Sequence, residues 1–245
     1  MGFYVALLFL TRIPLPQVKM DENKIASSLP FFPLAGAVIG GILTLIHILG
    51  LRILPDELVA GITVTTSIIV TGGMHLDGFA DTMDGLFCFG DREKKLTVMK
   101  DSRTGAYGVI GLILVILLKY LLISSLSKAY LIPALIGFPI ISRWMMTFAI
   151  VFYPYAREKG LGKAFAGQKL SAFVLASITT ILITYITGGL EGLIVVFGVF
   201  AAGFLFIQYL LRQLGGMTGD TYGAINELCE IMALLMFSIL SFRIG

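Results

Sequence analysis

Seven long apolar runs constrain the fold of this chain more than any other feature. Only 13% of its 245 residues are charged and 57% are hydrophobic, whereas a soluble domain carries about 25% charged residues. Most of the runs have the roughly 17–25 residues that an α-helix needs to cross a bilayer. The sequence therefore predicts an all-α polytopic membrane bundle of about seven transmembrane helices, near residues 30–54, 57–75, 105–127, 129–152, 170–187, 190–211 and 228–243.

Residues 1–16 form a further apolar stretch, which is interrupted by Arg12, Pro14 and Pro16. The stretch lacks the small-residue cleavage site of a signal peptide. We therefore expect an interfacial or re-entrant element rather than a full span. The polar segments between the runs are short, so residues 1–245 are predicted to form a single membrane domain.

The positive charges are distributed unevenly between the two predicted sides of the membrane. With seven spans, most lysines and arginines fall in segments 1–29, 76–104, 153–169 and 212–227. The positive-inside rule places these segments in the cytoplasm. Most of the acidic residues lie on the same side, so an active site is expected on the cytoplasmic face of the cell (inner) membrane. The net charge of +3 gives no reason to expect nucleic-acid binding.

An acidic motif follows the second apolar run, in the segment His-Leu-Asp-Gly-Phe-Ala-Asp-Thr-Met-Asp. Asp77, Asp81 and Asp84 are spaced i, i+4 and i+7, which places them on one helix face. Like charges at this spacing cost about 0.2–0.5 kcal/mol per pair. Mg²⁺ bound together with a substrate diphosphate would offset that cost, since Mg²⁺ prefers one or two carboxylates plus phosphate oxygens. A solvated acidic loop is the alternative, but ionisable residues at membrane depth are usually functional.

A second acidic segment, Gly-Asp-Thr-Tyr-Gly-Ala-Ile-Asn-Glu, leads into the last run. Asp220 and Glu227 lie seven residues apart on one helix face and resemble half of a metal or substrate site. His75, just before the first acidic motif, is interpreted as a catalytic base, a metal ligand or a structural interfacial histidine.

Several polar and basic residues are candidates for binding phosphate. Arg103 is suited to bidentate phosphate binding. Arg143 lies inside a predicted span and needs an acidic partner or an anionic ligand. Arg157 is interpreted first as a charge that sets topology and second as a phosphate contact. The predicted substrate-binding residues are Lys100, Asp101, Ser102, Arg103, Arg143 and Glu227.

Blocks spread over nearly the whole chain resemble the cobalamin synthase family, whose members are adenosylcobinamide-GDP ribazoletransferases. The most specific blocks are the segment from His75 to Gly85 and the segment from Gly216 to Asp220, which continues to Glu227. The segment Met-Lys-Asp-Ser-Arg at 99–103 and the triplet Ser-Arg-Trp at 142–144 also match.

The resemblance implies an Mg²⁺-dependent phosphoryl-type transferase. Its substrates would be adenosylcobinamide-GDP and α-ribazole, or α-ribazole 5′-phosphate, and it would release GMP on completing the cobalamin nucleotide loop. Asp77, Asp81 and Asp84 would hold the metal, and Asp84, Asp220 or His75 would accept the hydroxyl proton. Besides the lipid bilayer, a second copy of the chain is a further partner that the sequence leaves open.

Two other classes of membrane protein share some of these features. A CDP-alcohol phosphotransferase or a prenyltransferase would also use an acidic motif on a diphosphate. Neither accounts as well for the segment 100–103 or for Asp220. A secondary transporter would bind its substrate near the midplane at an internal repeat, and this sequence shows neither feature.

Overall fold

The structure, a computed structural model, describes residues 1–157, 161–165 and 169–244, and it is built from helices. Within these residues it contains no strand, only one isolated bridge between Tyr155 and Met217. The all-α prediction is confirmed. The helices are α1 (Gly2–Leu10), α2 (Glu22–Ser28), α3 (Phe32–Gly50), α4 (Asp56–Thr71), α5 (Met74–Phe87), α6 (Arg92–Val98), α7 (Ala106–Ser124), α8 (Lys128–Phe152), α9 (Leu170–Leu214) and α10 (Gly219–Ile244).

Several of these helices are able to cross a membrane by length and composition. Among the described residues, five segments qualify, and the bent pair α4–α5 makes a sixth if it counts as one span. The chain is therefore a multi-pass membrane protein, but the count of seven stays a prediction. The five segments are Glu22–Gly50, Ala106–Ser124, Lys128–Phe152, Leu170–Leu214 and Gly219–Arg243.

Helix α9 covers two of the predicted spans, and it folds back on itself. Gly189 interrupts it with φ 59° and ψ −145°, a conformation that favours glycine. Thr184 and Gly192 would be about 12 Å apart in a continuous helix, yet a Cβ built on Gly192 would lie 2.3 Å from the Thr184 carbonyl oxygen. The halves 170–188 and 190–214 therefore form a hairpin with almost no connecting loop.

The acidic helix α5 does not continue the direction of α4. Gly72 and Gly73 both adopt left-handed backbone conformations, with φ 66° and 67°, and the axes of α4 and α5 differ by 91°. This turn places the acidic residues across one end of the bundle rather than along a span.

The N-terminal helix α1 is short and docks on the end of α4. Its nine residues extend about 14 Å, which is less than half of a hydrocarbon core of about 30 Å. The backbone N–H of Arg12 donates to the carbonyl of Val70 at 2.7 Å. This geometry fits the expected interfacial or re-entrant element.

Helix α8 occupies the middle of the bundle and packs against α3, α9 and α10. The α3–α8 contact is close because α3 presents Gly36 and Gly40 there. A Cβ on Gly36 would lie 2.4 Å from the carbonyl oxygen of Pro139. Small residues at helix crossings are typical of membrane bundles, where close van der Waals packing drives helix association.

The two ends of the bundle differ in how the chain turns. At one end, which we call the open end, it passes through segments 11–21, 88–91, 99–105, 153–157 and 215–218. At the opposite, closed end it turns within 51–55, 125–127 and at Gly189. Short polar contacts seal the closed end, among them Ser127 N to Ser241 Oγ at 2.8 Å and Tyr130 Oη to Glu191 at 2.9 Å.

Candidate functional site

The two acidic segments meet where α5 crosses the first turns of α10. Glycines allow the close approach, since a Cβ on Gly78 would lie 2.9 Å from the Asp220 Cα. A Cβ on Gly223 would likewise lie 2.9 Å from the carbonyl oxygen of His75. The crossing brings Asp220 next to the acidic helix α5. The sequence predicted these two acidic segments only as separate candidate sites.

Three carboxylates share this crossing at the open end. Asp77 is exposed, while Asp81 and Asp220 are half-buried. Asp81 lies within electrostatic range of both Asp77 and Asp220, and of the Arg157 guanidinium. The Arg157 guanidinium lies 2.7 Å from Asp220 Oδ2, and only 12% of its side chain is exposed. The cluster thus combines several negative charges with one largely buried cation.

A short backbone pairing places Arg157 beside Asp220. The N–H of Ala156 donates to the carbonyl of Met217 at 2.7 Å, and the N–H of Met217 donates to the carbonyl of Pro154 at 2.8 Å. A Cβ on Gly216 would lie 2.8 Å from the same Pro154 oxygen, so glycine is needed for this approach. The pairing fixes the loop that carries Arg157 against the start of α10.

Thr218 and Thr221 cap the start of α10. The N–H of Thr218 donates to Thr221 Oγ1 at 2.7 Å, and the N–H of Thr221 donates to Thr218 Oγ1 at 3.1 Å. Such caps satisfy backbone donors that have no partner within the helix. Asp220 lies in this first turn, where the helix dipole favours a negative charge.

A cavity of about 270 Å³ opens beside the carboxylates. We call its polar part the rim, formed by His75, Asp77, Arg157 and Asp220. We call its apolar part the floor, formed by Phe9, Phe32, Met74, Met146, Ile150 and Phe165. One cavity therefore joins a charged surface suited to phosphate with an apolar recess.

His75 sits at the inner side of this cavity. Its side chain is buried, and its Nε2 has no hydrogen-bond partner within the described residues. The charged side chains that act on this imidazole belong to the buried residues Arg143, Glu230 and Lys119, and its predicted part in proton transfer stays a prediction.

Of the three predicted metal ligands, only Asp77 lines the cavity, whereas Asp81 and Asp84, the latter also predicted as a base, do not. The Oδ2 of Asp84 accepts the N–H of Gly105 at 2.7 Å and its Oδ1 accepts the N–H of Gly108 at 2.8 Å. These donors belong to the start of α7, where a carboxylate is stabilised by the helix dipole. The structure thus gives Asp84 the geometry of an anchor for α7.

The predicted substrate-binding loop at 100–103 also lies apart from the cavity. All four of its residues, Lys100, Asp101, Ser102 and Arg103, are exposed. The Arg103 side chain is 87% exposed and donates to Asp101, with Nη2 at 2.8 Å from Oδ2. These hydrogen bonds lower the pKa of Asp101 to about 2.

Arg143 and Glu227, the other predicted substrate contacts, belong to a buried ion network. Lys119 Nζ lies 2.6 Å from Glu227 and 2.5 Å from Glu230, and Arg143 pairs with the second oxygen of Glu230. All four side chains are at most 6% exposed. The acidic partner that Arg143 requires is therefore Glu230, and the network joins α7, α8 and α10.

The carboxylate cluster fits a metal ion that is bound together with a phosphate. Within the residues that the structure describes, no three acidic, histidine or cysteine side chains form a preformed metal site. Mg²⁺ does not require one, because it commonly takes one or two carboxylates and completes its shell with water and phosphate oxygens. Asp77 and Asp81, one turn apart on α5 and facing Asp220, offer only such oxygen ligands.

Sequence reasoning undervalued two residues of these clusters. Arg157 was interpreted mainly as a topology-setting charge, although the neighbouring glycines indicated a loop able to approach a ligand. Lys119 received no role, although a lysine inside an apolar run requires an acidic partner for the same reason as Arg143.

Comparison with known proteins identifies the relatives of this chain. A family model described as cobalamin-5-phosphate synthase matches residues 2–238. The chain is 39% identical over 241 residues to the adenosylcobinamide-GDP ribazoletransferase of Caldanaerobacter subterraneus subsp. tengcongensis, covering 96% of this chain and 97% of that protein. It is 33% identical over 276 residues to the protein of that name from Fusobacterium nucleatum subsp. nucleatum, covering 100% and 99%.

No solved structure matches the chain significantly. The family model, however, covers nearly the whole sequence, and it includes both acidic segments and Arg157. The chain therefore belongs to the cobalamin-5-phosphate synthase family.

Proposed function

We propose that this protein joins adenosylcobinamide-GDP to α-ribazole, or to α-ribazole 5′-phosphate, and releases GMP. The product is adenosylcobalamin or its 5′-phosphate. The observation that carries the proposal is the cavity whose rim combines Asp77, Asp220 and Arg157, since a diphosphate substrate requires a metal-binding carboxylate surface and a cation. The names of the relatives supply the identity of the two substrates.

The proposed reaction is a phosphoryl transfer. A ribose hydroxyl of the ribazole attacks the phosphorus that carries the cobinamide arm, and a new P–O bond forms. The bond from that phosphorus to the GMP oxygen breaks, and GMP leaves with the electron pair. Such a reaction requires in-line positioning and charge neutralisation more than covalent help from the protein.

Each rim residue has a part in this scheme. Asp220 accepts the hydroxyl proton, and its ion pair with Arg157 holds the carboxylate beside the cavity. His75 is the second candidate for that role. Arg157 offsets negative charge on the transferred phosphoryl group. Asp77 and Asp81 would hold Mg²⁺, which would supply Lewis-acid stabilisation of the leaving GMP.

We place this reaction on the cytoplasmic side of the cell membrane. The open end, which carries the cavity, also carries most of the lysines and arginines. The positive-inside rule assigns the more basic side to the cytoplasm. Among the described residues, the connections at the closed end are short.

The proposal is tested with membranes that contain the protein, incubated with adenosylcobinamide-GDP, α-ribazole and Mg²⁺. We expect cobalamin and GMP in equal amounts, detected by mass spectrometry, and no product when either substrate is omitted or when EDTA is added. Absence of product from inserted, folded protein contradicts the proposal. Turnover of a CDP-alcohol or a prenyl diphosphate would then identify the alternative class of transferase.

Replacing Arg157 with lysine is expected to lower kcat/KM by about tenfold or more, because lysine keeps the charge but loses the bidentate fork. The matched variant Arg103→Lys tests the sequence-based assignment of Arg103 to phosphate binding, which would require a similar loss. Steady-state kinetics on both variants shows which of the two arginines contributes more to kcat/KM. A normal rate for Arg157→Lys removes Arg157 from the phosphate site.

A further inference from the structure

A patch of exposed aromatic side chains lies at the outer end of the acidic helix α5. Phe87 is the last residue of α5, and Phe89 belongs to the turn that follows. Their exposed fractions are 55% and 95%. Tyr107, in the first turn of α7, is 47% exposed, and its ring stacks on Phe87 at 5.3 Å and 25°. We call these three residues the aromatic edge. None of them lines the cavity that the proposed reaction uses.

The length of α7 fixes the depth of this edge in the membrane. Its 19 residues extend about 28 Å, which matches a hydrocarbon core of about 30 Å. Beyond Tyr107 the helix continues with the exposed apolar side chains Val109, Ile110 and Ile113. A span that just crosses the core has its first turn at the boundary between acyl chains and headgroups. Tyr107 therefore lies at this boundary, and so does Phe87, which stacks on it.

The chemistry of the edge matches that boundary. A tyrosine is favoured where a membrane meets water, because its ring is apolar and its hydroxyl stays hydrated. Exposed phenylalanine rings gain free energy when they leave water. Lys100 and Arg103, in the loop before α7, are exposed on the aqueous side, where cations suit lipid phosphates. Asp101 offsets one of these charges, so the attraction to phospholipid rests on the rings more than on net charge.

We infer that the aromatic edge inserts among the phospholipid headgroups at the open end and anchors the outer end of α5 to the membrane surface. This inference is independent of the proposed reaction. The inner end of α5 is held by the turn at Gly72 and Gly73, against which the Arg12 side chain packs. Held at both ends and turned by 91° from α4, the acidic helix lies along the bilayer surface rather than through it.

Tryptophan fluorescence in lipid nanodiscs tests the depth of Phe89. The variant Phe89→Trp adds a fluorophore at the edge. The unsubstituted protein gives the background from Trp144, the one tryptophan of the sequence, which is 7% exposed. We expect quenching by phospholipids brominated near the headgroup, weak quenching by aqueous iodide, and a depth within about 5–10 Å of the headgroup boundary. Leu117→Trp, on an exposed position in the middle of α7, is the matched deep reference.

A second variant tests whether Phe87 supports the insertion. Phe87→Ser removes one apolar side chain from the edge, so the equilibrium between the inserted and the water-exposed edge is expected to shift by about 5- to 10-fold towards water. Iodide quenching of the Phe89→Trp fluorophore is then expected to rise. The matched control is Phe152→Ser in the same background, which is expected to leave the quenching unchanged. Phe152 is 47% exposed at the end of α8 and contacts Phe148 and Phe173.

Three results would overturn the inference. Strong iodide quenching without quenching by brominated lipid places Phe89 in water. A depth equal to that of Leu117→Trp places the edge inside the hydrocarbon core. A fluorophore that is open to iodide until adenosylcobinamide-GDP is added assigns the edge to the substrate instead of the lipid. Cobalamin formation enters none of the other readouts, so the proposed reaction can fail while the lipid contact stands.

Discussion

Changing Asp81 to asparagine is expected to lower the rate of cobalamin formation by about 100-fold or more, the size of effect seen when one charge-stabilising group is removed from an active site. Asparagine keeps the shape of the side chain but loses the anionic oxygen that would bind Mg²⁺ together with Asp77. The measurement is product formation by mass spectrometry as a function of Mg²⁺ concentration, and partial rescue at high Mg²⁺ is expected.

The same variant is expected to keep or gain stability. Asp81 lies in the field of Asp77, Asp84 and Asp220, and removing one of several like charges relieves repulsion in the metal-free protein. Thermal unfolding in detergent is therefore expected at the same temperature or a higher one. Asp56→Asn, on an exposed residue at the closed end, is the control for both measurements. A fully active Asp81→Asn protein removes the metal-site assignment.

Changing Glu230 to glutamine is expected to destabilise the protein by about 3–5 kcal/mol, the cost of breaking a buried ion pair by removing one partner. Glu230 contacts both Lys119 and Arg143. Without its charge, two cations share only Glu227. Equilibrium unfolding in mixed detergent micelles measures the change, with Glu57→Gln on the exposed start of α4 as the control.

A double variant separates lost pairing from lost packing. Arg143→Met combined with Glu230→Gln leaves the Lys119–Glu227 pair, which is electrically neutral. Replacing both members of a buried pair is often nearly neutral for stability, so the double variant is expected to recover most of the loss. Equal destabilisation of the single and double variants contradicts the assignment of the network as a charge-balanced brace between α7, α8 and α10.

The long helices could be predicted from the apolar runs, because the length of such a run and the residues that end it depend only on neighbouring positions in the sequence. The gap between two predicted spans at 188–189 coincides with the fold-back at Gly189. The right-angled turn at Gly72 and Gly73 was beyond prediction, although the glycines were visible. Two glycines permit many backbone directions, and the contact of Arg12 with this turn is made by a distant part of the chain.

The spacing of the acidic motif predicted its helix face but not the neighbours of that face. Asp84 follows Asp77 by seven residues, so it lies on nearly the same side but about 10 Å further along the axis. At that level the opposing element is the start of α7 rather than the start of α10, and Asp84 accepts the N–H groups of Gly105 and Gly108. The spacing of residues in the sequence shows which face of a helix they occupy. The element that packs against that face depends on the tertiary structure.

Long-range ion pairs explain the remaining differences. Arg157 and Asp220 are 63 residues apart, and no local pattern connects them. Arg92 lies in segment 76–104, which the sequence identifies only as basic, yet its Nε donates to the carbonyl of Leu214 at 2.7 Å. It thus caps the C-terminal end of α9, where cations are favoured. A basic residue near a membrane surface can set the orientation of the chain and also form a specific hydrogen bond or ion pair. Only its effect on orientation can be predicted from the sequence.

The fold-back at Gly189 has a consequence for traffic across the membrane. Together with the short turns at 51–55 and 125–127, it leaves the closed end, as far as the structure describes the chain, without a segment long enough to form a binding surface. The charged rim opens at the other end. We therefore expect reactants and products to enter and leave through the same aqueous compartment. The protein would then act as a membrane-bound enzyme on one side of the bilayer and would not carry solutes across it.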